Sequence, residues 1–228
     1  MEYRNEYKYI CSQNELIILK SRLLPLISLD RHLQNKESYN IRSLYFDDYN
    51  DSCMKENEAG LDNRKKFRIR IYNKSDQRIC LEVKYKIHDK TKKESCLLSR
   101  DQCEQLMNGN KLKYSDAFER PLKMLYFEME THMMKPVVIV EYERTAFVCG
   151  SGNVRITFDR NIASSESITQ FLEDNISLHP VMPINQHILE VKYDELLPDF
   201  IAQSLELGRL QRTSFSKYYT CRFVTTKD

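Results

Sequence analysis

Positively charged side chains recur at every second position in several short segments of this sequence. In the segment KFRIRIY, Lys66, Arg68 and Arg70 alternate with apolar residues. Because successive side chains of a β-strand point to opposite faces, each such segment predicts a strand with one apolar and one charged face. The other residues that share a charged face are Arg4, Glu6 and Lys8; Glu82, Lys84 and Lys86; Tyr142 and Arg144; Arg155, Thr157 and Asp159; and Glu190 and Lys192. The cations could bind a polyanion, and the few carboxylates could bind a divalent metal ion.

Two architectures fit these charged faces. The first is an open antiparallel sheet with its core on one side and water on the other. The second is a closed barrel whose charged faces point inward while amphipathic helices cover its apolar outside. Like charges repel several-fold more strongly in a partly enclosed site than in water, so a barrel interior of this kind would have to bind anions. Composition alone does not distinguish the two.

Several common phosphate and metal motifs are absent from the sequence. Neither GxGxxG nor GxxxxGK[ST] occurs, so no glycine-rich loop can bind phosphate through its backbone. HExxH and GxSxG are also absent, and the histidines show no ligand spacing. The seven cysteines are irregularly spaced without a CxxC motif, which predicts reduced, mostly buried thiols. An anionic substrate would therefore have to be bound by side chains.

The secondary-structure pattern predicts one α+β domain over residues 1–228, with about eight strands and four helices. Strands are predicted over residues 3–10, 42–46, 66–72, 79–85, 92–97, 137–148, 154–159 and 187–193. The segment NKSDQR is predicted to join the third and fourth of these as a hairpin loop. Helices are predicted to begin after Ser12 and Ser99, after a cap formed by Asp116 and Glu119, and at Pro198.

The overall charge excludes a broadly basic surface. The chain has 35 Lys and Arg residues against 33 Asp and Glu residues, a formal net charge of +2. This balance argues against nucleic-acid binding but allows a concentrated basic site. No apolar run approaches the ~20 residues that cross a bilayer, and the first residues lack the apolar region of a signal peptide. We therefore expect a soluble, cytoplasmic protein.

Eight short motifs occur in order over nearly the whole chain. They are RxExKY from Arg4, SLYFD at 43–47, KxRxRxY at 66–72, LEVK at 81–84, YxRTAF at 142–147, RITFD at 155–159, LEVKY at 189–193 and FSKY at 215–218. Together they resemble the VTC domain, the polyphosphate polymerase branch of the triphosphate tunnel metalloenzymes, also called CYTH-like proteins. Each motif alone is weak, but their order over 228 residues makes the resemblance specific.

The resemblance implies a closed eight-stranded antiparallel β-barrel with a charged interior and flanking helices. It therefore favours the barrel over the open sheet. The general superfamily motif is ExExK, and here Arg4 replaces its first acid. VTC-type members tend to show this replacement, which argues against a thiamine triphosphatase or a class IV adenylate cyclase. It also removes one candidate metal ligand, so whether Glu6 binds metal or only orients Lys8 stays open.

The resemblance also implies an activity, namely transfer of the γ-phosphate of ATP to a growing polyphosphate chain with the aid of Mn²⁺ or Mg²⁺. The residues implied to act on the substrate are Lys8, Arg68, Arg70, Lys84, Arg144, Arg155, Lys192 and Lys217, with Tyr142 and Ser216 as hydrogen-bond donors to phosphate. Lys192 and Lys217 would contact either the phosphate at the other end of the triphosphate or the acceptor chain. Glu190 is the best candidate metal ligand and Glu6 the second, whereas Asp47 and Asp48 are interpreted as turn formers.

Two other functions stay open at this point. One is hydrolysis of inorganic tripolyphosphate on the same fold, with water as the acceptor. The other is a non-catalytic module that binds polyphosphate. Eukaryotic relatives are coupled to a membrane segment that this chain does not contain, so any membrane partner would be a separate protein.

Overall fold

The structure is a computed structural model that describes residues 3–33, 36–208 and 210–226. Its strands are β1 (Arg4–Ser12), β2 (Ser28–Leu29), β3 (Tyr39–Asp47), β4 (Arg64–Tyr72), β5 (Ser75–Ile87), β6 (Lys90–Leu98), β7 (Lys135–Cys149), β8 (Val154–Ser165), β9 (His179–Pro180) and β10 (Gln186–Tyr193). Its α-helices are α1 (Gln13–Leu23), α2 (Ser52–Glu58), α3 (Arg100–Met107), α4 (Arg120–Thr131), α5 (Asp199–Leu205) and α6 (Lys217–Thr225).

Eight of the strands form a closed antiparallel barrel. Around the barrel their order is β7, β3, β4, β5, β6, β1, β10 and β8, and the pairing of β8 with β7 closes it. The two-residue strands β2 and β9 extend β7 and β8 at the ends of the sheet. The junction between β6 and β1 is the thinnest, because Arg4 and Asn5 alone pair there with Thr91 and Lys90. The predicted α+β barrel with flanking helices is confirmed.

The barrel has its apolar surface outside and its charged surface inside. On β4, the side chains of Phe67, Ile69 and Ile71 are fully buried. They belong to an outer core that also contains Cys103 of α3 and Leu125 of α4. The alternating pattern of β4 forces the intervening Lys and Arg side chains to the opposite face, which is the interior. The apolar face of the strands is thus outside the barrel, and helices cover it.

A second apolar cluster covers the opposite part of the barrel. Leu16, Leu19 and Leu23 of α1 pack with Leu189 of β10 and Ile156 of β8. Ser12 begins α1 through a capping box with Glu15, as predicted. With apolar clusters on two sides, the strands are held in a ring, and their inward faces cannot turn to bulk water.

Two details of the elements differ from the sequence-based predictions. The β4–β5 hairpin turns at Asn73 and Lys74 alone, not over six residues, and both adopt positive φ angles of 52° and 58°. Such a two-residue turn matches the twist of paired strands, and Asn tolerates the left-handed conformation. The predicted cap of α4 is wrong, because α4 begins after Glu119, whose side chain makes no cap hydrogen bond.

The described residues contain six α-helices rather than about four, because α2 and α6 escaped prediction. No helix among them is sufficiently long and apolar to span a membrane. Both unpredicted helices lie beside the barrel: α6 contacts β7 and β8, and α2 contacts α6. α6 matters for the site because its first residue, Lys217, is buried.

Candidate polyanion-binding site

A large cavity occupies the interior of the barrel, with a volume of about 1120 Å³. Every candidate site residue inferred from the sequence lines it: Glu6, Lys8, Arg68, Arg70, Lys84, Tyr142, Arg144, Arg155, Glu190, Lys192, Ser216 and Lys217. These residues come from seven elements that are far apart in the chain, so barrel closure brings them together. Their placement is established by the structure, while their individual roles stay predictions.

The charge of this cavity differs sharply from that of the whole chain. Among the described residues, sixteen Lys or Arg side chains and four carboxylates line it, a formal excess of twelve positive charges. Since the chain has a net charge of +2, the remaining residues together carry a formal charge of −10. Low-dielectric walls concentrate such a potential, so the cavity attracts anions although the protein is almost neutral.

One side of the cavity is an arginine cluster, which we define as Arg68, Arg70, Glu82 and Lys93. Nη2 of Arg68 lies 2.6 Å from Oε2 of Glu82, and Nη1 of Arg70 lies 3.8 Å from the same oxygen. Lys93 contacts the other oxygen at 2.5 Å. Burial alone would raise the pKa of Glu82, but these three cations hold it well below its usual value.

Hydroxyl groups also fix the two guanidinium groups of the arginine cluster. Arg68 donates a hydrogen bond of 2.8 Å to the hydroxyl of Tyr45. Arg70 donates to Ser43 at 3.1 Å and to Tyr142 at 3.2 Å. Each guanidinium is therefore oriented by partners on neighbouring strands, and its remaining N–H groups can bind an anion without further ordering.

The facing side is a lysine–glutamate cluster of Glu6, Lys8, Glu190 and Lys192. In the register of β1 and β10, Glu6 pairs with Lys192 and Lys8 pairs with Glu190, so the charges alternate in both directions. Nζ of Lys192 lies 2.9 Å from Glu6 and 3.3 Å from Glu190. Lys8 lies 3.7 Å and 3.9 Å from the same two carboxylates. Each ammonium group thus has two alternative carboxylate partners.

Glu190 is also connected to a buried triad of Arg144, Asp159 and Lys217. Arg144 donates two hydrogen bonds to Asp159, at 2.6 Å and 2.7 Å, and Lys217 contacts Asp159 at 2.6 Å and Glu190 at 2.8 Å. Burial alone would lower the pKa of Lys217, but the two carboxylates raise it. Lys217 is only 8% exposed, so it is a cavity residue and not a solvated helix residue.

Both candidate metal ligands are ionised at neutral pH. Burial alone would raise the pKa of Glu6, but Lys192, Lys84 and Lys8 hold it well below its usual value. Burial alone would also raise the pKa of Glu190, but Lys217 and Lys192 hold it well below its usual value. Both carboxylates thus retain their negative charge because cations surround them.

Lys84 differs from the other lysines of the site. Its ammonium group contacts both oxygens of Glu6 at 3.0 Å, across the thin β6–β1 junction. Burial lowers the pKa of Lys84 to about 7, because the attraction of Glu6 only partly offsets burial and the repulsion of Lys8 and Lys192. Lys84 is thus only partly charged near neutral pH, and a bound anion would restore its full charge.

Further contacts orient Arg155, Ser216 and Lys8. Arg155 forms an ion pair with Asp30 and donates to the hydroxyl of Tyr39 at 3.1 Å. Ser216 caps α6 by accepting from the N–H of Tyr219 and also accepts from Lys66 at 3.0 Å. Lys8 donates to the carbonyl of Phe215 at 2.8 Å.

Sequence reasoning missed several cavity residues. Arg64, Lys66 and Lys93 line the cavity but were not among the candidates. Neither was Asp159, which contacts Lys217, although Lys66 and Asp159 share charged strand faces with residues that were. The alternation already placed these two on charged faces, but neither was selected as a site residue. The role of Lys93 as a partner of Glu82 follows only from the pairing of β5 with β6.

The donor set of the lysine–glutamate cluster fits a hard divalent ion. Glu6 and Glu190 offer ionised carboxylate oxygens on either side of one ammonium group, so a cation is already accommodated between them. Thr157 adds a buried hydroxyl without a hydrogen-bond partner among the described residues, at the β8 position paired with Glu190. Oxygen donors of this kind suit Mg²⁺ or Mn²⁺. Among the described residues, no three acidic, His or Cys side chains are grouped closely enough to hold a metal ion by themselves.

Comparisons with solved structures give the same fold. The chain is similar to a candidate adenylate cyclase from Bacillus halodurans, with 13% identity, a TM-score of 0.52, and coverage of 84% of this chain and 80% of that one. It is also similar to a candidate adenylate cyclase from Vibrio parahaemolyticus, with 11% identity, a TM-score of 0.50, and coverage of 96% and 98%. At this identity the likeness shows the fold alone. No curated protein matches the sequence.

The closed antiparallel barrel with a cationic interior places the protein in the class of tunnel-fold proteins. The model of the VTC domain family matches residues 3–225, nearly the whole chain. The chain belongs to the VTC domain family, and the resemblance stated from the eight motifs is confirmed.

Proposed function

We propose that the protein is a polyphosphate polymerase, which transfers the γ-phosphate of ATP to an inorganic polyphosphate chain inside the barrel. The observation that carries this proposal is the formal excess of twelve positive charges around one cavity. A triphosphate supplies only a few negative charges, so an excess of this size suits two polyanions bound together. A polymerase holds such a pair, donor and acceptor, whereas a hydrolase needs the donor alone.

Catalysis in this proposal consists of positioning and charge neutralisation. Phosphoryl transfer requires little covalent chemistry from the protein, because the developing charge lies on the phosphate oxygens. Arg68 and Arg70 are already oriented by hydroxyl groups and would bind the transferred phosphate through paired N–H groups. Arg144, held by Asp159, would contribute a third fixed guanidinium.

The transfer step requires no general base, because the attacking group is a phosphate oxygen. A terminal oxygen of the acceptor chain forms the new bond to the γ-phosphorus, and the bond from that phosphorus to the β–γ bridging oxygen breaks. ADP leaves with the electron pair of the broken bond. The lysines, including Lys192 and Lys217, would hold acceptor and donor oxygens near each other while their charge shifts.

Glu6 and Glu190 are the residues that would hold a divalent ion in this proposal. Such an ion would neutralise phosphate charge and help to orient the two substrates. Phosphate oxygens entering the cavity would compete for Lys8 and Lys192, which would free the carboxylates to bind the ion. The two glutamates would thus exchange lysine partners for a metal partner as the substrates enter.

A second candidate function is polyphosphate binding without turnover. The observation that favours it is that each carboxylate lining the cavity already contacts at least one cation. Neutralised carboxylates are what a pure anion-binding site would contain. This candidate keeps the same substrate class but assigns Glu6 and Glu190 a purely structural role.

Incubation with ATP and Mn²⁺, with the products resolved on a gel, tests the proposal. A ladder of polyphosphate is the expected result. Free phosphate alone would instead indicate a tripolyphosphatase-type hydrolase, and no turnover would indicate the binding module. Glu190→Gln should lower turnover by about 1,000-fold, equivalent to about 4 kcal/mol of barrier height, and leave polyphosphate binding intact. Wild-type turnover that persists in EDTA would contradict the metal-assisted proposal.

A further inference from the structure

Four cations face one another at one end of the β4–β5 pair. In the strand register, Arg64 lies opposite Lys86 and Lys66 lies opposite Lys84. All four line the same cavity. Like charges directly opposite each other on one face of a sheet destabilise the pairing. The folded protein therefore keeps two unfavourable cross-strand pairs side by side.

Carboxylates do little to neutralise this group. Lys84 alone contacts a carboxylate, that of Glu6. Among the described residues, no carboxylate oxygen lies within 4.0 Å of the charged groups of Arg64, Lys66 or Lys86. Arg64 donates to backbone carbonyls instead, and Lys66 donates to neutral side-chain oxygens at 2.8 Å and 3.0 Å.

The electrostatic consequence is the same at all three of these side chains. Burial lowers the pKa of Arg64, of Lys66 and of Lys86, and neighbouring cations lower it further at Lys66 and Lys86. At Arg64 and Lys86, carboxylates beyond ion-pair distance offset this effect only in part. Elsewhere in the cavity, Lys192 and Lys217 have raised pKa values because carboxylates contact them. The group is thus less neutralised than Lys192 and Lys217 of the central site.

The position of the group extends the central site toward an opening. Arg70 is only 5% exposed, whereas Arg64, Lys66, Lys84 and Lys86 are all partly exposed. β4 begins at Arg64, and β5 ends one residue after Lys86. At ~3.3 Å per residue, the six steps from Arg70 to Arg64 span about 20 Å along the strand. A linear anion that starts at the arginine cluster could follow this row of cations outward.

We propose that Arg64, Lys66, Lys84 and Lys86 form a second anion subsite, which binds phosphate units of a polyphosphate chain that extends beyond the arginine cluster. This inference rests on the proposed function, since it takes inorganic polyphosphate as the ligand. It assigns the direction of the chain: long polyphosphate passes along β4 and β5 toward the start of β4. The repulsion among these four cations lowers the stability of the free protein, and a bound polyphosphate would relieve it by neutralising their charge.

The test compares two ligands and two double variants. Lys66→Gln/Lys86→Gln removes two charges from the group, and Lys55→Gln/Lys113→Gln removes two exposed lysines that do not line the cavity. Binding of long-chain inorganic polyphosphate and of inorganic tripolyphosphate is measured by calorimetry at several salt concentrations. Thermal unfolding of each variant is recorded as a folding control.

We expect the cavity variant to bind long-chain polyphosphate at least tenfold more weakly, with the slope of log affinity against log salt reduced by about two. Its tripolyphosphate affinity should change less than threefold, and its Tm should not fall, because repulsion is relieved. Equal weakening for both ligands, or no weakening for either, would overturn the subsite. Failure of the wild type to bind either ligand would instead overturn the proposed function, and the subsite with it.

Discussion

The arginine cluster and the lysine–glutamate cluster face the same cavity, but they are built differently. In the arginine cluster, one carboxylate, Glu82, serves three cations, and hydroxyl groups orient Arg68 and Arg70. In the lysine–glutamate cluster, two carboxylates share the lysines at distances between 2.9 Å and 3.9 Å. The guanidinium groups of the arginine cluster are therefore fixed in orientation, whereas each ammonium group of the lysine–glutamate cluster can exchange one carboxylate partner for another.

This difference suits the two tasks of a phosphoryl-transfer site. Fixed guanidinium groups complement the geometry of a phosphate before it arrives, so little ordering remains to be done. Ammonium groups on flexible chains can instead follow oxygens as their charge changes and can leave a carboxylate that is needed elsewhere. We infer that the arginine cluster defines where phosphate binds and that the lysine–glutamate cluster adapts to the ligands.

We expect the largest effect when the arginine cluster loses its only carboxylate. Glu82→Ala leaves three cations around a buried position without a carboxylate. We expect the free energy of unfolding to fall by about 3–5 kcal/mol, because removing one partner of a buried ion pair leaves uncompensated charge. Chemical denaturation measures this loss. Added polyphosphate should restore part of the stability, since it replaces the lost negative charge. A loss below about 1 kcal/mol would contradict the account.

A pair of reciprocal substitutions sharpens the comparison. Arg70→Lys removes a guanidinium that two hydroxyls orient, so we expect tripolyphosphate affinity to fall by about 100-fold, or 2.7 kcal/mol. Lys192→Arg keeps a cation between two carboxylates and should cost less than tenfold. Calorimetry on both variants provides the measurement. Similar losses for the two substitutions would mean that the clusters are not functionally different.

The pH dependence of anion binding tests Lys84, which contacts Glu6 of the lysine–glutamate cluster. Lys84 has a pKa of about 7 in the free protein, and a bound anion favours its charged form and raises that pKa. Binding should therefore take up a proton, and affinity should fall as the pH rises from 7.5 to 9, by at most about tenfold per unit from this group. Metal-free calorimetry in buffers of different ionisation enthalpy detects the uptake. Lys84→Arg should abolish this part of the pH dependence.

The smallest predicted effect concerns the position of α6. Ser216 caps this helix and accepts a hydrogen bond from Lys66. Ser216→Ala should lower the free energy of unfolding by about 1 kcal/mol, the usual cost of a lost cap. Thermal unfolding measures it, with Ser177→Ala at an exposed loop serine as the control. A cost equal to that of the control would show that the cap does not hold Lys217 in place.

The fold and most of the site could be predicted from local pattern and motif order. The alternation in KFRIRIY determines which side chains of β4 point inward, and barrel closure then brings every candidate residue to one cavity. The choice between barrel and open sheet came from the eight motifs, because alternation alone fits both. The single-domain assignment, the cytoplasmic localisation and the individual residue roles stay predictions.

Pairings between distant parts of the chain could not be predicted. Asp47 was interpreted as a turn former, yet it is fully buried and accepts hydrogen bonds from the N–H groups of Cys53 and Met54 and from the hydroxyl of Tyr218. Tyr218 is 171 residues away in sequence. α2 also escaped prediction because its N-cap, Asp51, has a positive φ of 53° and makes no side-chain cap bond.

A crystal structure with bound inorganic tripolyphosphate would test the central claim most directly. We expect the phosphates to lie within the barrel, between Arg68 and Arg70 on one side and Lys8 and Lys192 on the other, with the guanidinium groups in the same positions as in the free protein. Phosphates bound only on the outer surface, with the interior ion pairs unchanged, would contradict it.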